Sequence, residues 1–359
     1  MLPSLAGGGA ERAVVILLRH LSRERFEPHL ALLDFAGPYS SELPPDLPVH
    51  NLKVRRVRYA APGIIRLVRG LRPRAIVSSL SELNMAVAFA APFFPAGIRI
   101  LLREDIAVTA HLAQEHRHAR FWSWAYRRSY QRADRVICVA DFVVHDLAEH
   151  FGIARDKLLR IYNPVESDRI RGIADDNGNP YRSPGPHFVT VGRLSKQKGM
   201  DVLLDAMALV SKSIPSASLT ILGEGPLETA LRAQAHWLGL SEAVHFLGFQ
   251  KNPYSYVKFA NASVFSSRAE GLPLAVLESL ALGTPVIAVD CPGGVREAFV
   301  RCTKSRLLPA LNAPLLAEAM ISACDSAKSA RLSAEEAKQA VDPFEAGKIV
   351  AEYEDLLSA

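Results

Sequence analysis

Cysteine is scarce in this sequence, and the few cysteines are far apart. The four of them, Cys138, Cys291, Cys302 and Cys324, form no C-x-x-C pair in 359 residues. This excludes the framework of a small disulfide-stabilised domain and the ligand spacing of a structural zinc site. We therefore expect a protein of a reducing compartment, the cytoplasm.

Targeting segments, repeats and long apolar runs are equally hard to find. The first residues lack the charged and apolar regions of a secretory signal. The most apolar stretch, 83–102, contains Pro92, Pro95 and Arg99, so it predicts a buried helix and a strand, not a membrane span. The pI is 9.0, but no helix-turn-helix, zinc-finger or RRM-like signature occurs, so we expect no nucleic-acid partner.

The length and the charge distribution indicate two different halves. A chain of 359 residues exceeds the usual size of a single core, which predicts two domains. Residues 1–175 carry 25 Lys and Arg against 18 Asp and Glu, whereas residues 176–359 carry 17 against 19. The basic surplus therefore belongs to the first half.

Short β-branched and aliphatic runs alternate with helical patterns, which is typical of parallel α/β sheets. The predicted strands are 29–33, 49–54, 75–80, 98–103 and 135–139, then 188–192, 218–222, 244–247, 263–266 and 286–289. We predict two doubly wound, Rossmann-like domains at 1–165 and 166–342. A terminal helix at 343–359 should pack back on the first domain, and the polar stretch 175–186 predicts a linker or an exposed loop.

Loops after the strands carry the candidate site residues, because ligands of such sheets bind beyond the carboxyl ends of the strands. The loop G-G-G-A-E-R at 7–12, with Gly8, Gly9 and Glu11, leads into a helix and could hold an anion at the helix start. A flexible glycine turn explains it equally well.

Two further glycine-containing loops follow predicted strands of the second domain. The loop V-G-R-L-S-K-Q-K-G at 191–199 offers Gly192, Arg193 and Lys198 to a diphosphate, although a solvated basic loop is the simpler interpretation. In the loop L-G-E-G-P-L at 222–227, Gly223 and Gly225 permit close approach of a ligand to the backbone, or form a plain tight turn, and Pro226 lies at a predicted helix start.

The stretch E-G-L-P-L-A-V-L-E at 270–278 places two glutamates around a predicted helix start. Glu278 falls on an apolar helix, where ribose hydroxyls would satisfy its carboxylate; the alternative is a structural ion pair with Arg193 or another cation. Glu270 could accept hydrogen bonds from a sugar. The residues between them that would complete a donor site are Gly271, Leu272, Pro273 and Leu274.

Together these loops, with A-L-G-T-P-V-I-A at 281–288, resemble the retaining glycosyltransferases of family 4, which have the GT-B fold of two Rossmann-like domains facing across a cleft. The resemblance implies that Arg193 and Lys198 neutralise the diphosphate of a nucleotide sugar, that Glu270 holds the transferred sugar and that Glu278 holds the ribose. It also implies transfer of a hexose or N-acetylhexosamine with retention, without an organic cofactor or an obligatory metal. UDP is the first expectation for the donor nucleotide and GDP the second.

The first domain should bind the acceptor, a glycan or a lipid-linked glycan. Glu104 or His111 could contact its hydroxyl, although a surface carboxylate and a solvated histidine are equally good interpretations. The family has a strand before the first glycine-rich loop, and here only M-L-P-S-L-A precedes it. We therefore expect the first strand to be missing and its neighbours to be unpaired.

The arginine-rich stretch 54–74 is basic and amphipathic, which favours peripheral contact with an anionic membrane, at its inner face. Packing of the apolar side on the sheet is the alternative. Trp122, Trp124, Tyr126 and Tyr130 are either interfacial anchors or core residues. A nucleotide-sugar epimerase of the same fold and an inactive sugar-nucleotide-binding scaffold are the competing functions, and a phosphorylase is a weaker one because no pyridoxal-binding lysine context is present.

Overall fold

The computed structural model describes residues 1–115, 119–176, 178–302, 304–325 and 331–359. The chain divides into two compact units. Unit 1 comprises Met1–Pro164 and Ala346–Ala359, and unit 2 comprises Val165–Glu345. The sequence placed these divisions after 165 and 342.

The strands form three parallel sheets. In chain order they are β1 Leu30–Leu32, β2 Val49–Asn51, β3 Ala75–Ser79, β4 Arg99–Glu104, β5 Arg135–Cys138, β6 Leu158–Arg160, β7 His187–Val191, β8 Ser218–Leu222, β9 Val244–Phe246, β10 Ala262–Phe265, β11 Val286–Val289 and β12 Arg306–Leu308. Unit 1 contains a β1-β2 pair and a sheet of order β3-β4-β5-β6, and unit 2 contains a sheet of order β12-β11-β10-β7-β8-β9.

Helices provide most of the connections between the strands, because parallel neighbouring strands need crossover connections. They are α1 Gly9–His20, α2 Ala61–Leu71, α3 Ser81–Ala90, α4 Val108–Glu115, α5 Ala119–Tyr130, α6 Asp141–Phe151, α7 Ser167–Asp176, α8 Met200–Ser213, α9 Glu228–Trp237, α10 Tyr254–Phe259, α11 Leu274–Ala281, α12 Val295–Ala298, α13 Ala313–Ala323, α14 Ala334–Val341 and α15 Ala346–Ser358. Among the described residues, none of these helices is long and apolar enough to cross a bilayer.

The start of the chain lies between two strands of unit 1. Leu2 forms a parallel bridge with Leu32, and its N–H donates to Ala31 at 3.0 Å. On the other side the amino group of Met1 donates to the carbonyl of Val77 at 2.6 Å. Residues 1 and 2 therefore hydrogen-bond to both β1 and β3, and the prediction that these neighbours would be unpaired is wrong at this point.

Leu101 and Glu104 of β4, three positions apart, contact helices on opposite faces of the sheet, because side chains alternate along a strand. Leu101 packs with Leu17 of α1 and with Ile349 and Tyr353 of α15. Glu104 contacts Tyr130 of α5 on the other face. The amphipathic pattern of the terminal helix is thus satisfied within unit 1.

Unit 2 has helices on both faces of its sheet. Leu203 of α8 and Met320 of α13 pack with Val264 of β10 in one buried core. The neighbouring Ser263 lies on the opposite face, where it accepts a hydrogen bond from Ser279 of α11 at 2.9 Å. Such a three-layer α/β arrangement leaves the carboxyl ends of the strands free for loops that bind a ligand.

The polar stretch 175–186 is not the connection between the units, because the chain passes between them at 164/165. Within it, the ring of Tyr181 stacks on His187 with centroids 4.1 Å apart. The Tyr181 hydroxyl donates to the carbonyl of Tyr256 at 2.9 Å. Asn177 lies outside the described residues.

Candidate active site

Four loops of unit 2 meet at one edge of the sheet. β11, β10, β7 and β8 are consecutive in the sheet and parallel, so their carboxyl ends lie side by side. We call residues 192–199, after β7, the cationic loop, and residues 266–273, after β10, the glutamate loop. The sequence assigned Arg193 and Lys198 to the first and Glu270 to the second.

The cationic loop and the glutamate loop are hydrogen-bonded to each other along their length. The Arg268 N–H donates to the Gln197 carbonyl at 2.7 Å, and the Gln197 amide donates back to Ala269 at 2.9 Å. The Ser266 hydroxyl donates to the Lys198 carbonyl at 3.0 Å. The carboxylate of Asp201, at the start of α8, accepts hydrogen bonds from both terminal nitrogens of Arg268. These contacts hold the two loops in one fixed arrangement.

A lysine and a glutamate from these loops form an ion pair. Lys198 Nζ lies 2.6 Å from Glu270 Oε1, and the Ser267 hydroxyl donates to the same oxygen at 2.5 Å. The side chain of Glu270 is 7% exposed and that of Lys198 is 22% exposed. Because little water reaches this ion pair, its charges depend on hydrogen bonds from the protein. The hydrogen bond from Ser267 therefore helps to position the Glu270 carboxylate.

Arg193 differs from Lys198 in its surroundings. Its side chain is exposed and makes no ion pair with any described residue. The proposed structural pair between Arg193 and Glu278 is therefore absent from the described part of the chain. The guanidinium remains available for an anion from solution.

The glycines of the second and third loops make room for neighbouring backbone. Gly223 has a φ of +137°, and a Cβ there would lie 2.1 Å from the Gly192 carbonyl oxygen. A Cβ at Gly225 would lie 2.4 Å from the carbonyl oxygen of Leu194. Leu194 also donates its N–H to Glu224 at 2.9 Å. These glycines therefore permit loops to pack on each other, whereas the sequence suggested close approach of a ligand.

Glu278 lies inside α11 and is buried, with 6% of its surface exposed. The Tyr254 hydroxyl donates to its Oε1 at a long 3.4 Å, and the residue has at least one further contact. Four residues that follow Glu270, namely Gly271, Leu272, Pro273 and Leu274, are buried as well. Pro273 is the N-cap of α11, as its position predicted, but Pro226 precedes the start of α9 by two residues.

One of these four loops, 290–294 after β11, was not predicted from the sequence. Glu270 donates its backbone N–H to the Pro292 carbonyl at 2.9 Å, and the Gly294 N–H donates to Gly271 at 2.5 Å. A Cβ at Gly293 would lie 2.0 Å from the Glu270 carbonyl oxygen. The signal was available, since C-P-G-G follows a predicted strand directly.

In the same loop, Cys291 is buried beneath the ion pair. Burial, with the negative charge of Glu270, raises the pKa of its thiol to about 12. A thiol with such a pKa stays protonated at neutral pH, so Cys291 contributes no negative charge to this site.

In unit 1, the glutamate of the glycine-rich loop 7–12, Glu11, is buried. Gly8 is the N-cap of α1, and Gly9 and Glu11 lie in the first turn of the helix. Glu11 is 5% exposed, and its Oε2 has no hydrogen-bond partner among the described residues. A Cβ at Gly8 would lie 2.3 Å from that oxygen, so the glycine leaves room for the carboxylate.

Glu104 is fully buried, so the interpretation of a surface carboxylate is wrong for this residue. Ser81 donates to its Oε1 at 2.8 Å, and the Tyr130 hydroxyl donates to its Oε2. Burial raises the pKa of Glu104 to about 7, against the opposing effect of these hydrogen bonds. The carboxyl group links α3 and α5 through these hydrogen bonds.

Two neighbours of Glu104 lie closer to solvent. Asp105 pairs with Arg103, and burial raises the pKa of its carboxyl to about 6. His111 Nε2 lies 3.8 Å from a carboxylate oxygen of Glu82 and is partly exposed. Of the predicted acceptor residues, His111 is therefore the one with an accessible side chain.

The site of unit 2 has the chemistry of an anion and polyol receptor. It combines an exposed guanidinium, a lysine held by a carboxylate, and a buried glutamate on a helix. Among the described residues, no group of three or more His, Cys, Asp and Glu side chains is arranged to hold a metal ion.

Two family models match this chain. The model of glycosyl transferases group 1 matches residues 175–340, and the model of glycosyltransferase family 4 matches residues 7–169. The first match contains the cationic and glutamate loops, and the second contains the glycine-rich loop and Glu104.

Two curated relatives and one solved structure give the same result. An uncharacterised glycosyltransferase of Methanocaldococcus jannaschii is 36% identical over 48% of this chain, which spans 44% of that protein. The N-acetylgalactosamine-N,N'-diacetylbacillosaminyl-diphospho-undecaprenol 4-alpha-N-acetylgalactosaminyltransferase of Campylobacter jejuni is 29% identical over 82% of this chain and 81% of its own length. Anabaena HepE in complex with UDP and glucose has a TM-score of 0.80 over 100% of this chain and 99% of its own, with 19% identity, which shows the fold alone.

The fold, the loops and the two family models agree along nearly the whole sequence. The chain is a glycosyltransferase with the GT-B fold and belongs to the group 1 and family 4 glycosyltransferases.

Proposed function

We propose that this enzyme transfers a hexose or N-acetylhexosamine, with retention, from a nucleotide-diphosphate sugar to a glycan or a lipid-linked glycan. The observation that carries the proposal is the group formed by Lys198, Glu270 and Ser267 beside the exposed Arg193. It joins positive charge for a diphosphate to a carboxylate for sugar hydroxyls at the edge where such sheets bind ligands.

The two cations have different parts in this proposal. Arg193 carries an uncompensated charge and captures the diphosphate with its planar fork of donors. Lys198 is neutralised by Glu270 until the donor binds, and then its ammonium is shared between the carboxylate and the phosphate. Both stabilise the negative charge that develops on the leaving nucleotide, which is usually the largest contribution to such a reaction.

The two glutamates are assigned to hydroxyl groups of the donor. Glu278 is buried, so an uncompensated charge there is costly, and the two hydroxyls of a ribose would supply hydrogen bonds to it. Glu270 lies in the middle of the glutamate loop and accepts from Ser267 and Lys198 through one oxygen, leaving its second oxygen for the sugar. Retention follows from departure and attack on the same face of the sugar.

The names of similar proteins support the choice of substrates. UDP is our first assignment for the nucleotide because the neighbouring HepE structure contains UDP and glucose, and GDP is the second. The Campylobacter relative is named for a diphospho-undecaprenol substrate. We therefore assign a polyprenyl-linked glycan as the acceptor and expect unit 1, with His111 near its carboxyl edge, to bind it.

A thermal-shift series with UDP, GDP, ADP and their sugars identifies the donor, because a ligand of the folded state raises its apparent stability. We expect one nucleotide series to raise the Tm. Consumption of that donor only in the presence of an acceptor glycan excludes an epimerase, and binding without any turnover would leave the inactive scaffold. The anomeric configuration of the product, read by NMR, tests retention.

Three substitutions in unit 2 separate the assigned roles. Glu278→Ala should raise the Kd of the nucleotide by roughly tenfold to a hundredfold, since two charge-assisted hydrogen bonds are lost. Arg193→Ala should lower kcat by roughly a hundredfold with a smaller effect on Kd. Lys196→Ala, in the same loop and exposed, is the matched control and should change neither. Unaltered binding and turnover in both site variants would refute the assignments.

A further inference from the structure

Unit 1 exposes aromatic rings on a helical surface that carries almost exclusively positive charge. On α5, Phe121 and Trp124 are 59% and 57% exposed, with ring centroids 6.1 Å apart. Arg127 and Arg128 of the same helix are exposed too. We call these four residues the α5 face. Monomeric proteins seldom leave two large rings together in water without a use.

A second exposed pair comes from α3 and from the turn that follows it, and α3 packs against both α2 and α5. Phe89 and Phe93 are 38% and 56% exposed. Arg132 lies over the Phe89 ring, 5.1 Å from its centroid, and Arg69 donates to the Phe93 carbonyl at 3.0 Å. Each exposed ring pair therefore has arginines beside it.

The charged residues of α2, α3 and α5 are almost all positive. From Lys53 to Arg103 the sequence contains ten Lys and Arg and one acidic residue, Glu82, and α5 contains no acidic residue. On α2 the apolar residues Ile64 and Val68 are fully buried, so this helix contributes its arginines and not an inserting apolar side. The exposed rings come from α5 and α3 instead.

We propose that the α5 face, with the Phe89 and Phe93 pair beside it, docks unit 1 on an anionic lipid bilayer. Aromatic rings insert at the level of the headgroups while arginines contact lipid phosphates. Each arginine near an anionic surface raises the partition coefficient by roughly fivefold. Single-stranded nucleic acid is instead held in a basic groove with stacked bases, and these rings lie on the outside of helices.

Docking of this kind goes beyond the transfer reaction and is independent of it. Tyr126 and Tyr130, which the sequence grouped with the tryptophans, are core residues, and Trp122 is partly buried. Of the aromatic residues on α5, Phe121 and Trp124 are therefore the ones that can enter a bilayer.

Co-sedimentation of the full chain with vesicles, without donor or acceptor, tests the proposal. We expect binding to phosphatidylcholine vesicles containing about 30% phosphatidylglycerol, weak binding to phosphatidylcholine alone, and release in about 0.5 M NaCl. Phe121→Ser with Trp124→Ser should lower the partition coefficient at least about tenfold. Trp237→Ser is the matched control, since Trp237 of α9 is 83% exposed but lies in unit 2.

Fluorescence locates the contact directly. In a chain with Trp122→Phe and Trp237→Phe, the emission of Trp124 should shift to shorter wavelength when anionic vesicles are added. Circular dichroism and the nucleotide-induced Tm shift verify that the double serine variant is folded. Transfer to a water-soluble acceptor should be retained by that variant, so failure of docking is distinguishable from failure of the enzyme.

Three results would overturn the proposal. The first is equal vesicle binding by the folded double serine variant and the parent chain. The second is binding of a single-stranded RNA, but not of vesicles, that depends on Phe121 and Trp124. The third is a dimer in light scattering that the double serine variant abolishes while vesicles remain unbound, which would assign the face to a second copy of this chain.

Discussion

Glu104→Gln should change how the stability of unit 1 depends on pH. The folded chain keeps the Glu104 proton up to about pH 7, whereas an unfolded chain loses it near the ordinary value of 4.5. Between these values the folded state binds more protons, so the free energy of unfolding falls as the pH rises and is constant above about 7. The shift of about 2.5 pH units corresponds to about 3 kcal/mol.

Glutamine removes this dependence and keeps the volume, and like a protonated carboxyl it offers one accepting oxygen and one donor group to the Ser81 and Tyr130 hydroxyls. We expect the variant to match the parent chain at about pH 4, below the pKa of the unfolded chain, and to exceed its free energy of unfolding by up to about 3 kcal/mol at about pH 8. Asp105 is present in both chains, and its negative charge is one of the causes that raise the pKa of Glu104.

Urea denaturation at several pH values measures the effect. A Trp237→Phe background restricts tryptophan fluorescence to unit 1, because Trp122 and Trp124 both lie there. Glu82→Gln is the control, since its side chain is 49% exposed and should shift stability by less than about 0.5 kcal/mol at any pH. A stability difference that is the same at every pH would refute the buried, protonated Glu104. A large rise in the acceptor KM would return Glu104 to direct contact with the acceptor.

Gly225→Ala should cost about 1–3 kcal/mol and weaken nucleotide binding, since its Cβ would overlap the Leu194 backbone; urea titration and calorimetry measure this. Gly172→Ala, where a Cβ meets open space on α7, should instead gain about 0.5–1 kcal/mol. Ser267→Ala should lower kcat/KM for the donor roughly tenfold, because Glu270 loses a hydrogen bond. Transfer rates should survive EDTA, and an increase on adding Mg²⁺ back would contradict the expected metal independence.

The central strands of unit 2 were predictable from the sequence and its edge strand β12 was not. The predicted runs 188–192, 218–222, 263–266 and 286–289 coincide within one residue with β7, β8, β10 and β11, which are largely buried and rich in aliphatic residues. Leu158–Arg160 and Arg306–Leu308 are edge strands of three residues with partial burial. A strand with so few apolar side chains has no periodic signal.

Residue types at the carboxyl ends of strands indicated the candidate site, but their partners came from the sheet order. That β10 lies next to β7 is what brings Glu270 to Lys198, which is 72 residues away in the chain. The spacing of residues within one loop does not reveal which strands are neighbours in the sheet. For the same reason the loop 290–294, which follows the other neighbour of β10, was missed although it fixes the backbone of Glu270.

The glycines show where local chemistry and tertiary structure differ. A glycine in a loop after a strand predicts close approach of something to the backbone, and that inference holds at Gly223, Gly225 and Gly293. The approaching group at each is the backbone of another loop of the same site. A ligand that binds here therefore contacts loops that are already fixed against one another, so little loss of loop entropy opposes its binding. For the same reason, a glycine-to-alanine substitution far from the substrate would disturb catalysis by displacing these packed loops.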